Sequence, residues 1–344
     1  MNDVWYNRRT EESKKIDQNF KIFRELYPLE EKKIEAVLKS LRSQQFMRVV
    51  YESNLIEGAG PKRKGETREI IEKYFPKIPD SLSAFDSLGN AYEIYDLIDT
   101  HKYHQLLALP EEKLKRCDFE FSVRFGKKNR EVFEVIQHMS ALIDAVITAE
   151  SSFYNDFLYK KTKLKKYHSE KKLITEDFIK DLHKKIAKDL IRESCGVCAG
   201  EYRIHDVTID DDSIKFPASE LVADCMKLFV KKANNLIEDF RNHKISPIVV
   251  AANISYDFVR IHPFPDFNGR ISRLLLNVVL RASNIPFVID IRGANKHKHR
   301  YFTALRHANR GNMKSYECLI AMRVNDIFKT MFDELKLAGV EVKE

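Results

Sequence analysis

A chain of 344 residues is long enough to bury a sizeable core in one large domain or two ordinary ones. With 44% hydrophobic and 32% charged residues, five scattered cysteines and no apolar run of membrane-spanning length, it is excluded from the disordered, disulfide-framework and membrane-spanning classes. The net charge of +8 is carried by Lys and Arg interspersed with Asp and Glu, without a basic arm or an aromatic–basic stripe, which argues against nucleic acid as a partner. Only 11 Gly and 10 Pro point to a mostly helical fold. Met1 to Lys15 is polar and has no apolar signal core, so a cytoplasmic location is expected.

In chain order, Ile34, Val37, Leu38 and Leu41 recur at helical spacing within a long helix expected over about Glu30 to Glu57, stopped by Gly58-Ala59-Gly60-Pro61. A second helix is expected near Ala91 to His101, and a charged helical stretch from Tyr103 to Lys171. Within that stretch, Glu131 to Tyr154 carries an apolar face of Val132, Val135, Ile136, Met139, Leu142 and Ile143. A helix follows the N-cap Thr175. Gly200 to Pro217 reads as a hairpin, with strands Tyr202 to Ile209 and Ile214 to Phe216 around an Asp210–Ser213 turn. Further helices begin near Ser219 and at Ser246-Pro247, a cap followed by Pro at the first helical position. The latter ends near Ile261, because Pro263 disfavours helix at His262. Another runs from Asn268–Arg270 to about Asn284. Cys195 and Cys198 form a lone CxxC with no second ligand pair, and read as two small, partly buried residues at a helix end.

The chemistry concentrates in His262 to Arg273, HPFPDFNGRISR. A helix starts inside this stretch, and its free first-turn N–H groups form an anion site. Arg270 and Arg273 are three apart in the same turn, where cations oppose the helix dipole unless an anion is shared. Asp266 supplies a hard oxygen of the kind that holds Mg²⁺ beside phosphates. His262 is placed to take a proton from a hydroxyl. Each residue alone also reads plainly, as surface ion pairs, a loop cap or a packing histidine. Their co-occurrence in one loop favours a site.

These residues resemble the Fic signature, His-x-Phe-x-Asp/Glu-Gly-Asn-Gly-Arg-x-x-Arg. His262, Phe264, Asp266, Asn268, Gly269, Arg270 and Arg273 supply it, and Phe267 stands where the family has Gly or Ala. Gly200, Tyr202, Arg203, Val207 and Ile209 resemble the family's target-docking flap hairpin, which aligns an extended target segment by backbone pairing. Tyr301, Leu305, Ala308 and Gly311-Asn312 resemble the next helix. Ser53, Glu57 and Gly58 resemble its inhibitory motif, Ser/Thr-x-x-x-Glu-Gly/Asn, in which the glutamate engages the second signature arginine and obstructs the γ-phosphate.

The resemblance implies an all-α Fic fold with a small β-hairpin flap. It divides the chain into an N-terminal helical region (1–172) with an inhibitory helix near 45–58, a Fic core (173–322) and a helical tail (323–344). It further implies transfer of AMP from ATP to a Tyr, Ser or Thr hydroxyl of a protein substrate, with ATP as co-substrate and Mg²⁺ as cofactor. His262 would be the catalytic base, Asp266 the metal ligand, Asn268, Gly269, Arg270 and Arg273 the phosphate-binding set, and Glu57 the inhibitor. Self-modification and a homodimer stay open. So do removal of AMP, transfer of another phosphate-containing group and, in a different class, a non-catalytic helical module that binds protein or nucleic acid.

Overall fold

The computed structural model describes residues 2–75, 130–146, 148–149, 172–191, 195–208, 214–283 and 285–343. The helix expected near Ala91 to His101 lies outside them, as does most of the stretch from Tyr103 to Lys171. The described residues form helices α1 (Asn2–Glu57) and α2 (Lys64–Tyr74), α3 (130–146), α4 (Glu176–Ala187), α5 (Val222–Arg241), α6 (Pro247–Ile261), α7 (Asn268–Ala282), α8 (Asn295–Asn309) and α9 (Lys314–Leu337). Position 322/323, where the sequence suggested a boundary, falls inside α9.

The helix expected from Glu30 begins at Asn2. It is broken where Pro28 lies inside it and Glu30 leaves helical geometry (φ −126°, ψ 28°). The first half exists because α9 covers it. Phe20 and Phe23 meet Phe328 at ring distances of 5.2 and 6.4 Å, and Asn325 bonds Asn19 and the Glu12 carboxylate.

At the centre lies α7, buried from Ile271 to Ala282 and packed against α6 through a Ser272 Oγ bond to the Ser255 carbonyl (2.8 Å). Asn277 tacks the extended segment after α7 by accepting from Ile289 N–H (2.7 Å). Of the apolar face expected within Glu131 to Tyr154, Val135, Ile136, Met139, Leu142 and Ile143 lie in the core and Val132 is partly buried against it. Both capping expectations are met: Thr175 accepts from Phe178 N–H, and Ser246 accepts from Val249 N–H ahead of Pro247. Among the described residues no helix is long and apolar enough to cross a membrane.

The expected β-hairpin is a correction. Among the described residues there is no strand: Tyr202–Thr208 run as coil with a bend at Ile204 and His205, and 214–217 run as coil, while Ile209 and the expected turn at 210–213 lie outside the described residues. The reason is where the hydrogen bonds go. Arg203 N–H donates to the Pro263 carbonyl (2.9 Å), and its guanidinium donates to the carbonyls of His262, His205 and Pro217. One buried arginine side chain holds the two arms where a strand ladder would otherwise do so. Cys195 and Cys198 are partly buried beside this segment.

Candidate active site

The loop between α6 and α7 is built by two residues in left-handed geometry. His262 (φ 52°, ψ 57°) ends α6, and Phe267 (φ 65°, ψ 2°) precedes α7. Such a conformation costs a residue with a Cβ about 1–2 kcal/mol, so each needs support. His262 is held by its N–H on Phe258 O and by Arg203 Nε on its carbonyl (2.8 Å). Phe267 donates its N–H to Asp266 Oδ1 (2.6 Å) and buries its ring under Arg270, whose guanidinium carbon lies 3.7 Å from the ring centroid. The bulky departure from the signature therefore points inward as a cation–π partner.

His262 Nδ1 lies 3.1 Å from the Val259 carbonyl. A carbonyl only accepts, so Nδ1 carries the proton and Nε2 presents a lone pair. Burial pushes the imidazole below its ordinary value, which keeps it neutral at pH 7. Phe216 packs at 4.3 Å from its ring. The charges of Glu57, Arg203 and Asp266 are all felt at this imidazole, as those of Arg273, Arg270 and His262 are at Glu57. Glu57 lies against Arg273 and over Gly269, and Asp266 lies 3.8 Å from Arg270, so both carboxylates sit beside the start of α7.

The first intrahelical bond of α7 runs from Ile271 N–H to Phe267 O, so the amides of Asn268, Gly269 and Arg270 precede the ladder at the positive end of the dipole. The Asn268 side chain plays another part: buried, it accepts from Phe264 N–H (2.9 Å) and donates to Phe264 O (2.7 Å), closing the loop. Its backbone N–H is left for an anion. Asp266 is 57% exposed on its side chain and 3.8 Å from Arg270 Nη2. It fits Mg²⁺ that arrives with phosphate oxygens, as one carboxylate does. Among the described residues no group of three or more side chains forms a metal cage.

The two arginines differ. Arg270 is buried, yet its Nε and Nη1 have no hydrogen-bond partner. Arg273 is engaged by the end of α1: Nε donates to Ser53 Oγ (2.8 Å), and Nη2 donates to Ser53 O (3.1 Å) and Glu57 Oε1 (2.6 Å). Burial alone would raise the Glu57 carboxyl, but Arg273, and then Arg270, hold it below the usual carboxylate range. Its carboxylate lies over Gly269, where a Cβ would meet Oε1 at 2.3 Å. A glycine is thus needed for the carboxylate to approach the start of α7.

The end of α1 is itself gripped. Gly58 turns the chain at φ 70°, Glu134 of α3 accepts from Gly60 N–H (2.6 Å), and His138 of α3 bonds Asn54 Oδ1 (2.8 Å). Burial, then Arg270 and Arg273, push His138 well below its ordinary value, so it is neutral.

Sequence reasoning missed His183. Fully buried in α4, it stacks on Phe264 at 3.8 Å and 4°. Its Nδ1 accepts from Gly200 N–H (2.7 Å), so Nε2 is the protonated nitrogen facing the Asp266 carbonyl (3.3 Å). One imidazole joins the flap's base to the backbone of the carboxylate loop. Burial lowers it to about 3, which preserves this donor–acceptor pattern at neutral pH. The residues expected to dock a target divide here. Gly200 and Arg203 tie this segment to His183 and to the His262–Pro263 backbone, Tyr202 packs on Phe264 (5.5 Å) and under Lys180, and Val207 is partly exposed.

Comparison with known proteins agrees with this geometry. Residues 173–280 match the model of the Fic/DOC family. A Fido-domain-containing protein of Dictyostelium discoideum is 35% identical over 146 residues, 41% of this chain and 96% of that protein. A protein named protein adenylyltransferase Fic from Aedes aegypti is 38% identical over 91 residues, 25% of this chain and 18% of that one. A relative of the same name from Culex quinquefasciatus is matched over 14% of its length, so the chain spans less than a fifth of these two mosquito proteins. A Fic-domain signalling protein from Bacteroides thetaiotaomicron superposes with a TM-score of 0.61 at 18% identity, covering 96% of this chain and 99% of that one. Fic-1 of C. elegans gives 0.55 at 21%, covering 94% and 74%. In fold, in sequence and in the loop that links α6 to α7, the chain belongs to the Fic/DOC family.

Proposed function

We propose that the chain is a protein adenylyltransferase that moves AMP from ATP to a Tyr, Ser or Thr hydroxyl of a protein substrate, and that Glu57 restrains it. The observation that carries this reading is the contrast within one helical turn. Arg270 is buried with two unpartnered donors, while Arg273 is occupied by a carboxylate and a serine from α1. A triphosphate would satisfy the first and compete for the second.

In the proposed reaction the target hydroxyl gives its proton to His262 Nε2 as its oxygen attacks the α-phosphorus. The bond to the bridging oxygen breaks, and pyrophosphate leaves. Amides at the start of α7 and Arg270 hold the developing charge. Asp266 would hold Mg²⁺ beside the phosphates, where the ion supplies charge neutralisation. Arg273 would take the γ-phosphate once Glu57 leaves it. With Glu57 in place a nucleotide is held in a pose misaligned for in-line attack. A cytoplasmic setting goes with this reading.

Removal of AMP is the second reading. It is favoured by one observation: Glu57 is held ionised directly over Gly269, where a carboxylate can orient a water.

The test uses ATP labelled on the α- or the γ-phosphate, with wild type and His262→Ala, scored for label retained on protein. Label is expected from α-ATP alone, with His262→Ala lowering it about 10²–10⁴-fold, the usual worth of a general base. Label from γ-ATP would overturn the reading in favour of a kinase. Release of AMP from a pre-modified protein with no incorporation would favour the second reading.

A further inference from the structure

Away from the loop, α8, α9 and the segment before α8 enclose a cavity of about 330 Å³, at the lower end of the ~300–1,000 Å³ typical of small-molecule sites. Its rim carries Arg292, Arg300, Arg323, His297, His299 and His307, against the single carboxylate of Asp326. Its apolar surface comes from Ile291, Leu319 and Met322.

Three observations show that this positive charge is under-compensated. Asp326 is divided between Arg292 (3.1 Å) and Arg323, and Asp290 also pairs with Arg323, so that among the described residues Arg292 has only a shared carboxylate. The Nε of Arg292 is buried without a hydrogen-bond partner. Arg300 is exposed and has no carboxylate within ion-pair distance among the described residues. The run Lys296 to Arg300 also occupies the first turns of α8, where cations oppose the dipole. Consistently, His297 is lowered by burial and then by Arg292, Arg300 and Arg323. The back wall is cross-linked: Asp290 Oδ1 binds Arg323 Nη2 (2.7 Å) and Arg48 of α1 (3.2 Å), and Gly293 N–H is held by Glu52 (2.6 Å).

We propose that this cavity is a second ligand site that takes a small organic phosphate. The apolar body would lie on Leu319 and Met322, and the phosphate would be shared among Arg300, His297 and Arg292. Guanidinium forks and imidazole N–H donors suit phosphate oxygens, and an enclosed apolar surface excludes a bare ion as the best fit. The site is independent of the proposed AMP transfer.

The test is calorimetric titration of the full chain with 2-naphthyl phosphate, and with 2-naphthol as the neutral control. One site is expected for the phosphate, at least tenfold weaker for 2-naphthol. It should be kept in His262→Ala and weakened at least tenfold in Arg300→Ala and in His297→Ala. Arg300 is exposed, so its truncation leaves the fold intact, and an unchanged thermal midpoint verifies this. Absence of binding to millimolar concentration would overturn the proposal. So would loss of binding in His262→Ala, which would place the probe in the loop site. Equal binding of 2-naphthol, or binding indifferent to Arg300→Ala, would overturn it as well.

Discussion

The loop from His262 to Asn268 and the end of α1 from Ser53 to Gly60 meet across two arginines, and they are held differently. The loop is fastened through its backbone: Asn268 closes it on Phe264 from within, and Arg203 and His183 fix the carbonyls of His262 and Asp266. The end of α1 is fastened from outside, through Arg273 on one side and through Glu134 and His138 of α3 on the other. The contrast teaches that two arginines in one helical turn can differ in occupancy, one keeping unpartnered donors and the other engaged by a separate helix.

The largest expected effect separates the two arginines. Arg270→Met should lower AMP incorporation about 10²–10³-fold, the usual worth of a lost charge-stabilising donor. It should leave the urea midpoint unchanged or higher, because a buried guanidinium with unpartnered donors is removed. Arg273→Met should lower the midpoint, since Ser53 and Glu57 lose their partner. If both variants shift the midpoint alike, the contrast between a waiting and an occupied arginine fails.

Next in size is His183→Ala. It orphans Gly200 N–H and frees the Asp266 carbonyl, so the rate should fall roughly tenfold, as for outer-shell partners of a metal site, with the Mg²⁺ concentration for half-maximal rate raised. A loss of stability with an unchanged Mg²⁺ response would reduce His183 to a packing residue.

The smallest is a pH effect. His183 is neutral in the fold, lowered to about 3, and His138 is also lowered, whereas both take a proton near pH 6.5 when unfolded. The unfolded state therefore binds more protons below that pH. Stability is full above about 6.5 and falls as the pH drops, by up to roughly 1.4 kcal/mol per pH unit for each histidine. Urea midpoints at pH 7.0 and 5.5, where carboxylates stay ionised in both states, should differ in this direction. Equal midpoints would mean that these histidines are not held neutral by burial.

The local parts of the site were legible because their signals are local. Ser246-Pro247 opens α6, Pro263 ends it, and the spacing of Arg270 and Arg273 puts both in one turn. Ser53 and Glu57, four apart on α1, were readable only through the family motif. Nothing in the sequence announces that they reach Arg273 across 220 and 216 positions. His183 was invisible for the same reason. On an amphipathic helix it looks like any core histidine, and its partners lie 17 and 83 residues away. The hairpin expectation rests on two short runs around the Asp210–Ser213 turn, a local signal that does not show Arg203 supplying a competing set of hydrogen bonds. The first half of α1 was missed because its polar surface is marginal as a helix until α9 covers Phe20 and Phe23.

The central claim is that Glu57 restrains transfer by occupying Arg273, and the initial rate of AMP incorporation in Glu57→Gly relative to wild type tests it most directly. The account predicts a rise of at least about tenfold, equivalent to ~1.4 kcal/mol of barrier. An equal or lower rate, in a variant that still binds ATP, would contradict it.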